Sequence, residues 1–254
     1  MTALGTTVAP PADREPVRAT LRRLSSAQKG AAGAPAYSRF VNRPLGRLFA
    51  ALAFRAGLTP NAVTGISAAC TFTGVGLLLG LRPSWAAGIA VAACLVLGYA
   101  LDSADGQLAR LRGGGSPAGE WLDHVVDAAK AVVVHLAVLV TLYRFAPVGR
   151  GALLLIPLGY AVVDVVHLFA TLLNEQLRRN HGRPERAHVT GIRPSTLRSL
   201  LVLPTDYGLL ALGFVLLGAP AVFLGFYTVM FAGTAGYLAL ALVRWFREMD
   251  RLTA

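Results

Sequence analysis

Long runs of apolar residues, separated by short polar or charged segments, fill most of the chain between residues 61 and 244. A helix needs about 20 mostly apolar residues to cross about 30 Å of hydrocarbon. The pattern therefore predicts an all-α integral membrane protein with six transmembrane helices. We place these spans near residues 61–81, 85–110, 118–143, 151–177, 196–217 and 221–244.

Two features of this pattern determine how the spans are divided. The apolar run from Ala131 to Tyr143 is too short to cross a membrane alone, so its helix must begin near Pro117 or Trp121 and contain acidic residues. The charge-free stretch from Tyr207 to Val243 is long enough for more than one crossing. A break at Gly218-Ala219-Pro220 would separate two helices there.

The residues before the first span differ from the rest of the chain. Residues 1–35 are rich in Ala, Pro, Thr and Arg and lack the apolar core of a secretory signal, so we expect a disordered cytosolic tail, with the membrane domain covering residues 36–254. From Ser38 to Arg55, arginines at a spacing of four accompany apolar residues. This spacing predicts an amphipathic helix that lies in the membrane interface.

Composition supports the membrane assignment and excludes two other classes. Only 15% of residues are charged, against about 25% in soluble proteins. The two cysteines lie in apolar runs and are too few for a disulfide framework. A net charge of +11 suits anionic lipid headgroups better than nucleic acid, because the basic residues flank the apolar runs.

The distribution of Lys and Arg predicts the orientation of the spans. Twenty of these residues fall on the side that holds both termini and the 102–123 segment, and three fall on the other side. Since cytoplasmic loops carry the excess of positive charge, both termini and this acidic segment are expected to be cytoplasmic. Arginine provides 22 of the 24 basic residues, a composition typical of GC-rich bacteria, so we expect a bacterial inner (plasma) membrane protein.

Four aspartates stand where the second predicted span ends and the third begins. Asp102 and Asp105 are spaced i, i+3, and Asp123 and Asp127 are spaced i, i+4, so each pair shares one helical face. A short loop makes the two helices antiparallel neighbours, which predicts that the four carboxylates converge. A divalent cation would relieve their mutual repulsion, and oxygen-only ligands favour Mg²⁺ or Mn²⁺. His124 is expected to point about 100° away from Asp123, so zinc is not expected.

Small residues and one arginine lie between the acidic pairs. Gly106, Ala109 and Gly119 would let a ligand approach the backbone closely. Arg110 can bind phosphate oxygens with two parallel hydrogen bonds. Carboxylates, metal, small residues and an arginine together indicate a site for a nucleotide pyrophosphate.

The complete pattern resembles the signature of the class I CDP-alcohol phosphotransferase family, also called CDP-alcohol phosphatidyltransferases. The segment Leu58-Thr59-Pro60-Asn61-Ala62-Val63-Thr64 resembles the start of that family's first span, and the resemblance covers about residues 36–248. All eight signature positions are present at the family spacing: Asp102-x2-Asp105-Gly106-x2-Ala109-Arg110-x8-Gly119-x3-Asp123-x3-Asp127.

The resemblance implies a role for each of these residues. Asp102, Asp105 and Asp123 would be metal ligands, and Asp127 would be both a ligand and the general base on the acceptor hydroxyl. Two ions of Mg²⁺ or Mn²⁺ are implied, as is a homodimer embedded among membrane lipids. The implied CDP-binding set is Asp102, Asp105, Gly106, Ala109, Arg110, Gly119 and Asp123, and Asn61 and Lys130 are candidate substrate contacts.

The resemblance implies transfer of a substituted phosphate from a CDP-linked donor to an alcohol or phosphorylated alcohol, with release of CMP, in phospholipid biosynthesis. The donor is either CDP-diacylglycerol or a soluble CDP-alcohol. The segment from Ala36 to Pro44 is similar to the membrane domain of enzymes that join CDP-inositol to inositol phosphate, but no cytidylyltransferase domain is present. Phosphatidylglycerol-phosphate and phosphatidylinositol-phosphate synthases share the signature, so the acceptor stays open.

The acidic residues are also compatible with two other classes of function. A transporter or ion pathway is the alternative, because acidic residues within spans also mark ion routes; an inactive scaffold is a third class.

Asp164, His167 and Asp206 either have a functional role or form hydrogen bonds between helices. Lys130 either pairs with the acidic cluster or contacts an acceptor phosphate, and the basic stretch from Arg178 to Arg198 either docks an anionic group or only sets the orientation.

Overall fold

The computed structural model describes residues 34–145, 151–183 and 202–252, together with Leu24 and Ser199. All regular secondary structure in these residues is helical. A π-helical turn (Ser38–Asn42) precedes α1, and 3₁₀ turns precede α5 (Gly151–Leu154), precede α6 (Leu203–Thr205) and follow it (Phe214–Gly218). The α-helices in the three described ranges are α1 (Arg43–Arg55), α2 (Pro60–Gly80), α3 (Trp85–Leu111), α4 (Pro117–Phe145), α5 (Leu155–Asn180), α6 (Tyr207–Gly213) and α7 (Pro220–Asp250).

Within the described residues, five helical segments are long and apolar enough to cross a membrane, so the predicted all-α membrane fold is confirmed. They comprise 21 to 31 residues each and correspond to α2, α3, α4, the segment Gly151–Asn180 that contains α5, and α7. The third of these segments, α4, begins at Pro117. This start was expected, because the apolar run from Ala131 to Tyr143 is too short to cross a membrane alone.

The remaining predicted span, near 196–217, stays a prediction. Its described part contains α6, with seven residues, and the 3₁₀ turns before and after it, with three and five residues. The continuous helical stretch Tyr207–Gly218 is too short to cross a membrane. Residues 196–198, 200 and 201 lie outside the described residues. The predicted break at Gly218-Ala219-Pro220 does separate this segment from α7.

Most of the predicted tail also lies outside the described residues. Leu24, Ala34 and Pro35 are the exceptions, and the side chain of Leu24 is buried in a small apolar cluster with residues of α1, α2 and α3. The helix predicted between Ser38 and Arg55 is present, with Ala50, Ala51 and Ala53 buried. Its placement in the interface stays a prediction, which the exposed side chains of Phe40, Leu48 and Leu52 support.

The helix starts follow from local capping. Thr59 Oγ1 accepts a hydrogen bond from Ala62 N at 3.2 Å, and Pro60 occupies the first turn of α2. Ser84 Oγ caps α3 by accepting from Ala87 N at 3.1 Å. These side chains satisfy backbone N–H groups that a helix cannot pair internally, so local residues set where α2 and α3 begin.

Close helix contacts place α3 at the centre of the bundle. It packs on α1, α2 and α6, and Ser67 Oγ of α2 donates to the carbonyl of Gly98 at 2.8 Å. A Cβ atom at Gly98 would lie 2.3 Å from Thr71 Oγ1, so only glycine allows this approach. The tight α2–α3 contact holds the C-terminal half of α3, which carries Asp102 and Asp105, in a defined position.

Gly88 offers a test of this packing. A Cβ atom at Gly88 would meet the backbone carbonyl oxygen of Phe214 at 2.5 Å, and a backbone cannot rotate away as a side chain can. We expect Gly88→Ala to destabilise the protein by about 1–3 kcal/mol, measured as a fall in the thermal unfolding midpoint in detergent. Gly76→Ala is the matched control, because nothing lies within 4 Å of that Cβ; equal midpoints for the two variants would contradict the close α3 contact.

Candidate metal and nucleotide site

The four signature aspartates come together at one end of the α3–α4 hairpin. Carboxylate oxygens of Asp102, Asp105 and Asp123 lie within 4.8 Å of one another, and Asp123 and Asp127 belong to a second such group. The turn between α3 and α4 contains Gly113 and Gly114, whose φ angles of +96° and +134° favour glycine. The convergence predicted from spacing is therefore present.

His124 differs from expectation. One of its ring nitrogens lies within 4.8 Å of the carboxylate oxygens of both Asp123 and Asp127, and Nε2 lies 3.9 Å from Glu120 Oε1. The prediction that His124 points away from the cluster is wrong, because backbone direction alone does not limit a long side chain that is 35% exposed and free to rotate. Carboxylates still dominate the ligand set.

Asp105 is buried and held by two hydrogen bonds. The residue is only 5% exposed, and its Oδ2 accepts a hydrogen bond from Thr64 Oγ1 at 2.6 Å. Its Oδ1 accepts from the backbone N–H of Gly106. These contacts join the first turns of α2 to α3, which explains why the Thr-Pro-Asn turn and the acidic signature belong to one site.

Lys130 places a positive charge inside the acidic cluster. Its ammonium group donates to Asp102 Oδ1, to Asp127 Oδ1 at 3.3 Å and to Ser67 Oγ at 3.1 Å, and the residue is 7% exposed. Of the two alternatives for Lys130, the structure shows the pairing with the cluster. One ammonium cannot balance four carboxylates, so the cluster keeps an excess of negative charge.

The cluster fits a hard divalent cation. Its donors are carboxylate oxygens from two helices, the type that Mg²⁺ and Mn²⁺ prefer. Asp105 is held in place by hydrogen bonds from Thr64 and Gly106, as ligating carboxylates commonly are. The excess negative charge supplies the electrostatic reason for binding.

A pocket of about 680 Å³ opens beside Asp105 and Asp123. A Cβ atom at Gly106 would have only Arg110 Nη1 near it, at 3.6 Å, so space for a ligand lies over this glycine. At Gly119 a Cβ would meet Asn61 Oδ1 at 2.9 Å, which brings Asn61 against the signature. The predicted ligand-binding residues that line this pocket are Asn61, Asp105, Gly106, Ala109, Arg110, Gly119 and Asp123.

Sequence reasoning missed the opposite wall of the pocket, which α5 provides. Arg179 Nη1 donates to Glu120 Oε1 at 2.8 Å across the α4–α5 boundary. The polar residues Asn174-Glu175-Gln176 at the end of the fourth apolar run could have indicated this wall. Such residues are equally typical of any helix that leaves a membrane. The lining residues from α5 are Leu172, Glu175, Gln176 and Arg179.

The other polar residues singled out in the spans form hydrogen bonds between elements. Asp164 Oδ2 lies 2.9 Å from Nε2 of His135, and Nδ1 of that ring lies 2.6 Å from Tyr227 Oη. His167 instead stacks on Trp245. His135 was not predicted, because a single histidine in an apolar run gives no indication of its partner.

Asp206 joins the N-terminal segment to α6. Its Oδ2 accepts from Ser38 N and its Oδ1 accepts from Gly208 N, both at 3.1 Å. Tyr37, next to Ser38, stacks on Tyr99 of α3. Burial raises the pKa of Tyr37 above its usual value, and the charge of Asp206 adds to the rise, so this phenol remains neutral.

The chain matches the CDP-alcohol phosphatidyltransferase family over residues 57–245. It belongs to this family of membrane-embedded transferases, whose members carry out phosphotransfer in phospholipid synthesis. No curated protein matches the chain. The crystal structure of the Mycobacterium tuberculosis phosphatidylinositol phosphate synthase in complex with manganese and citrate is similar at 21% identity and a TM-score of 0.45, covering 81% of this chain and 89% of that one.

Proposed function

We propose that this protein transfers a substituted phosphate group from a CDP-linked donor to an alcohol acceptor and releases CMP, with Mg²⁺ or Mn²⁺ at the four aspartates. The observation that carries the proposal is the convergence of Asp102, Asp105, Asp123 and Asp127 beside a pocket lined by the small signature residues and Arg110. Family membership supplies the class of reaction.

The pocket suits a cytidine diphosphate. The open space over Gly106 leaves room for the nucleoside against Ala109 and Gly119. Arg110 supplies donors for phosphate oxygens. Asn61, which lies against Gly119, contacts the bound donor. The lining aspartates alone would repel a diphosphate. Asp102, Asp105, Asp123 and Asp127 would hold two divalent cations, which would stabilise the charge that develops on the pyrophosphate.

The chemical step follows from this arrangement. The acceptor hydroxyl loses its proton to the Asp127 carboxylate, and its oxygen forms a bond to the phosphorus that carries the donor alcohol. The bond between this phosphorus and the oxygen bridging to the cytidine phosphate breaks, and CMP leaves with that bonding electron pair. Lys130 orients Asp102 and Asp127 through its hydrogen bonds.

We place the protein in a bacterial inner membrane with both termini and the active site cytoplasmic. The support is the excess of Lys and Arg on the side that holds the acidic segment. We also propose a homodimer, with the catalytic domain covering residues 36–254 and residues 1–35 outside it. Cross-linking in native membranes tests the dimer, and cysteine labelling from either side tests the orientation.

Metal removal tests the reaction. Purified protein in lipid vesicles is given a donor, either CDP-diacylglycerol or a soluble CDP-alcohol. The acceptor is inositol phosphate, glycerol phosphate or serine, and the release of CMP is measured. Chelation by EDTA should reduce release by at least about 100-fold, because the cations supply several kcal/mol of transition-state stabilisation. Added Mg²⁺ or Mn²⁺ should restore it. Ion flux across the vesicles without CMP release would instead favour the transporter alternative.

A further inference from the structure

The hydroxyl group of Tyr207 is buried and has no hydrogen-bond partner among the described residues. Nearly all buried polar side-chain atoms in native proteins have a partner, and an O–H group left without one is unfavourable. Tyr207 was not part of the signature, and no step described above uses it.

The position of Tyr207 is well determined. It is the first residue of α6, whose start is capped by Asp206, the residue that also accepts a hydrogen bond from Ser38 N. The ring packs edge-on against Tyr99, with centroids 5.2 Å apart. Tyr99 precedes Asp102 on α3 by three residues and so shares its face. The phenol is therefore held beside the acidic cluster.

Three carboxylates act electrostatically on this phenol, those of Asp102, Asp127 and Asp164. Each of them has another partner: Asp102 and Asp127 bind Lys130, and Asp164 binds His135. None of the three accepts the phenol proton. Tyr207 therefore carries a hydrogen-bond donor beside the acidic cluster that no described residue uses.

We propose that Tyr207 donates a hydrogen bond to the attacking oxygen of the acceptor alcohol, and is a specificity residue for the acceptor. This inference rests on the function proposed above. The alcohol oxygen has one proton for Asp127 and lone pairs that can accept from a phenol. Donation fixes the direction in which the oxygen presents its remaining lone pair to phosphorus.

The location of Tyr207 favours contact with the acceptor over contact with the CDP donor. Among the described residues, the nucleotide pocket is lined by Asp105 and Asp123 but not by Tyr207. The phenol instead packs on Tyr99, which lies one turn before Asp102 on α3. The two substrates then approach the cluster from different sides, as a direct displacement at phosphorus requires.

Tyr207→Phe tests the proposal, with whichever of inositol phosphate, glycerol phosphate and serine supports most CMP release by the wild type. We expect the KM for this acceptor to rise about tenfold, because one neutral hydrogen bond is lost. The KM for the CDP donor should stay unchanged. The matched control is Tyr160→Phe, whose hydroxyl lies 3.4 Å from Thr234 Oγ1 in the bundle and whose loss should leave both KM values as they are.

Thermal unfolding of the same variant without substrates gives a second readout. Removing an unpartnered buried hydroxyl should leave the unfolding midpoint unchanged or raise it. A lower midpoint, an unchanged acceptor KM, or a raised donor KM would each overturn the proposal. Failure of the proposed function is distinguishable, because the wild type would then release no CMP with any donor and acceptor pair.

Discussion

Asp127→Asn should lower CMP release by about 1,000-fold, the largest effect expected of any single substitution in this chain. The amide keeps the shape of the carboxylate but cannot take the proton of the acceptor hydroxyl. General base catalysis contributes about 10²- to 10⁴-fold, and a lost metal ligand adds to the fall. The hydrogen-bond acceptor that Lys130 uses at 3.3 Å is retained by an amide oxygen, so the fold should survive.

The measurement is the rate of CMP release from the CDP donor at saturating acceptor and Mn²⁺. Asp250→Asn is the matched control, since Asp250 is exposed at the end of α7; its rate should equal that of the wild type. Gel filtration and the unfolding midpoint show whether both variants are folded. A folded Asp127→Asn protein with more than a tenth of the wild-type rate would remove Asp127 as the base.

Lys130→Met should destabilise the metal-free protein by about 3–5 kcal/mol, the cost of removing one partner of a buried ion pair. The ammonium group is buried and pairs with Asp102 and Asp127, so its loss leaves their charges without compensation. Divalent cations should offset part of the loss. We therefore expect Mn²⁺ to raise the unfolding midpoint of this variant more than that of the wild type.

The other lysine of the chain supplies the control. Lys29 falls in the predicted tail, outside the described residues, and Lys29→Met removes the same charge. Its unfolding midpoint should match that of the wild type with and without Mn²⁺. If Lys130→Met leaves the midpoint unchanged but raises the KM of a phosphorylated acceptor, Lys130 is a substrate contact and its pairing contributes little to stability.

Much of the acidic hairpin could be predicted from the sequence because its contacts are local. The pairs Asp102/Asp105 and Asp123/Asp127 share helical faces by periodicity alone, and a short turn forces their helices to be neighbours. The start of the third span at Pro117 followed from the length needed to cross a membrane. The rotation of His124 did not follow, because periodicity gives the direction of Cβ and not that of the ring nitrogens.

The sequence alone thus determined the membrane class, the acidic hairpin and the family signature, since each depends on composition or on spacing within one or two adjacent helices. Only the tertiary structure decided which residues from distant parts of the chain contact one another and the acidic hairpin. The pairing of Asp164 with His135, the wall of the pocket that α5 provides and the buried hydroxyl of Tyr207 all depend on how separate helices pack. Packing follows from the shapes of whole helix surfaces, which no local pattern of residues specifies.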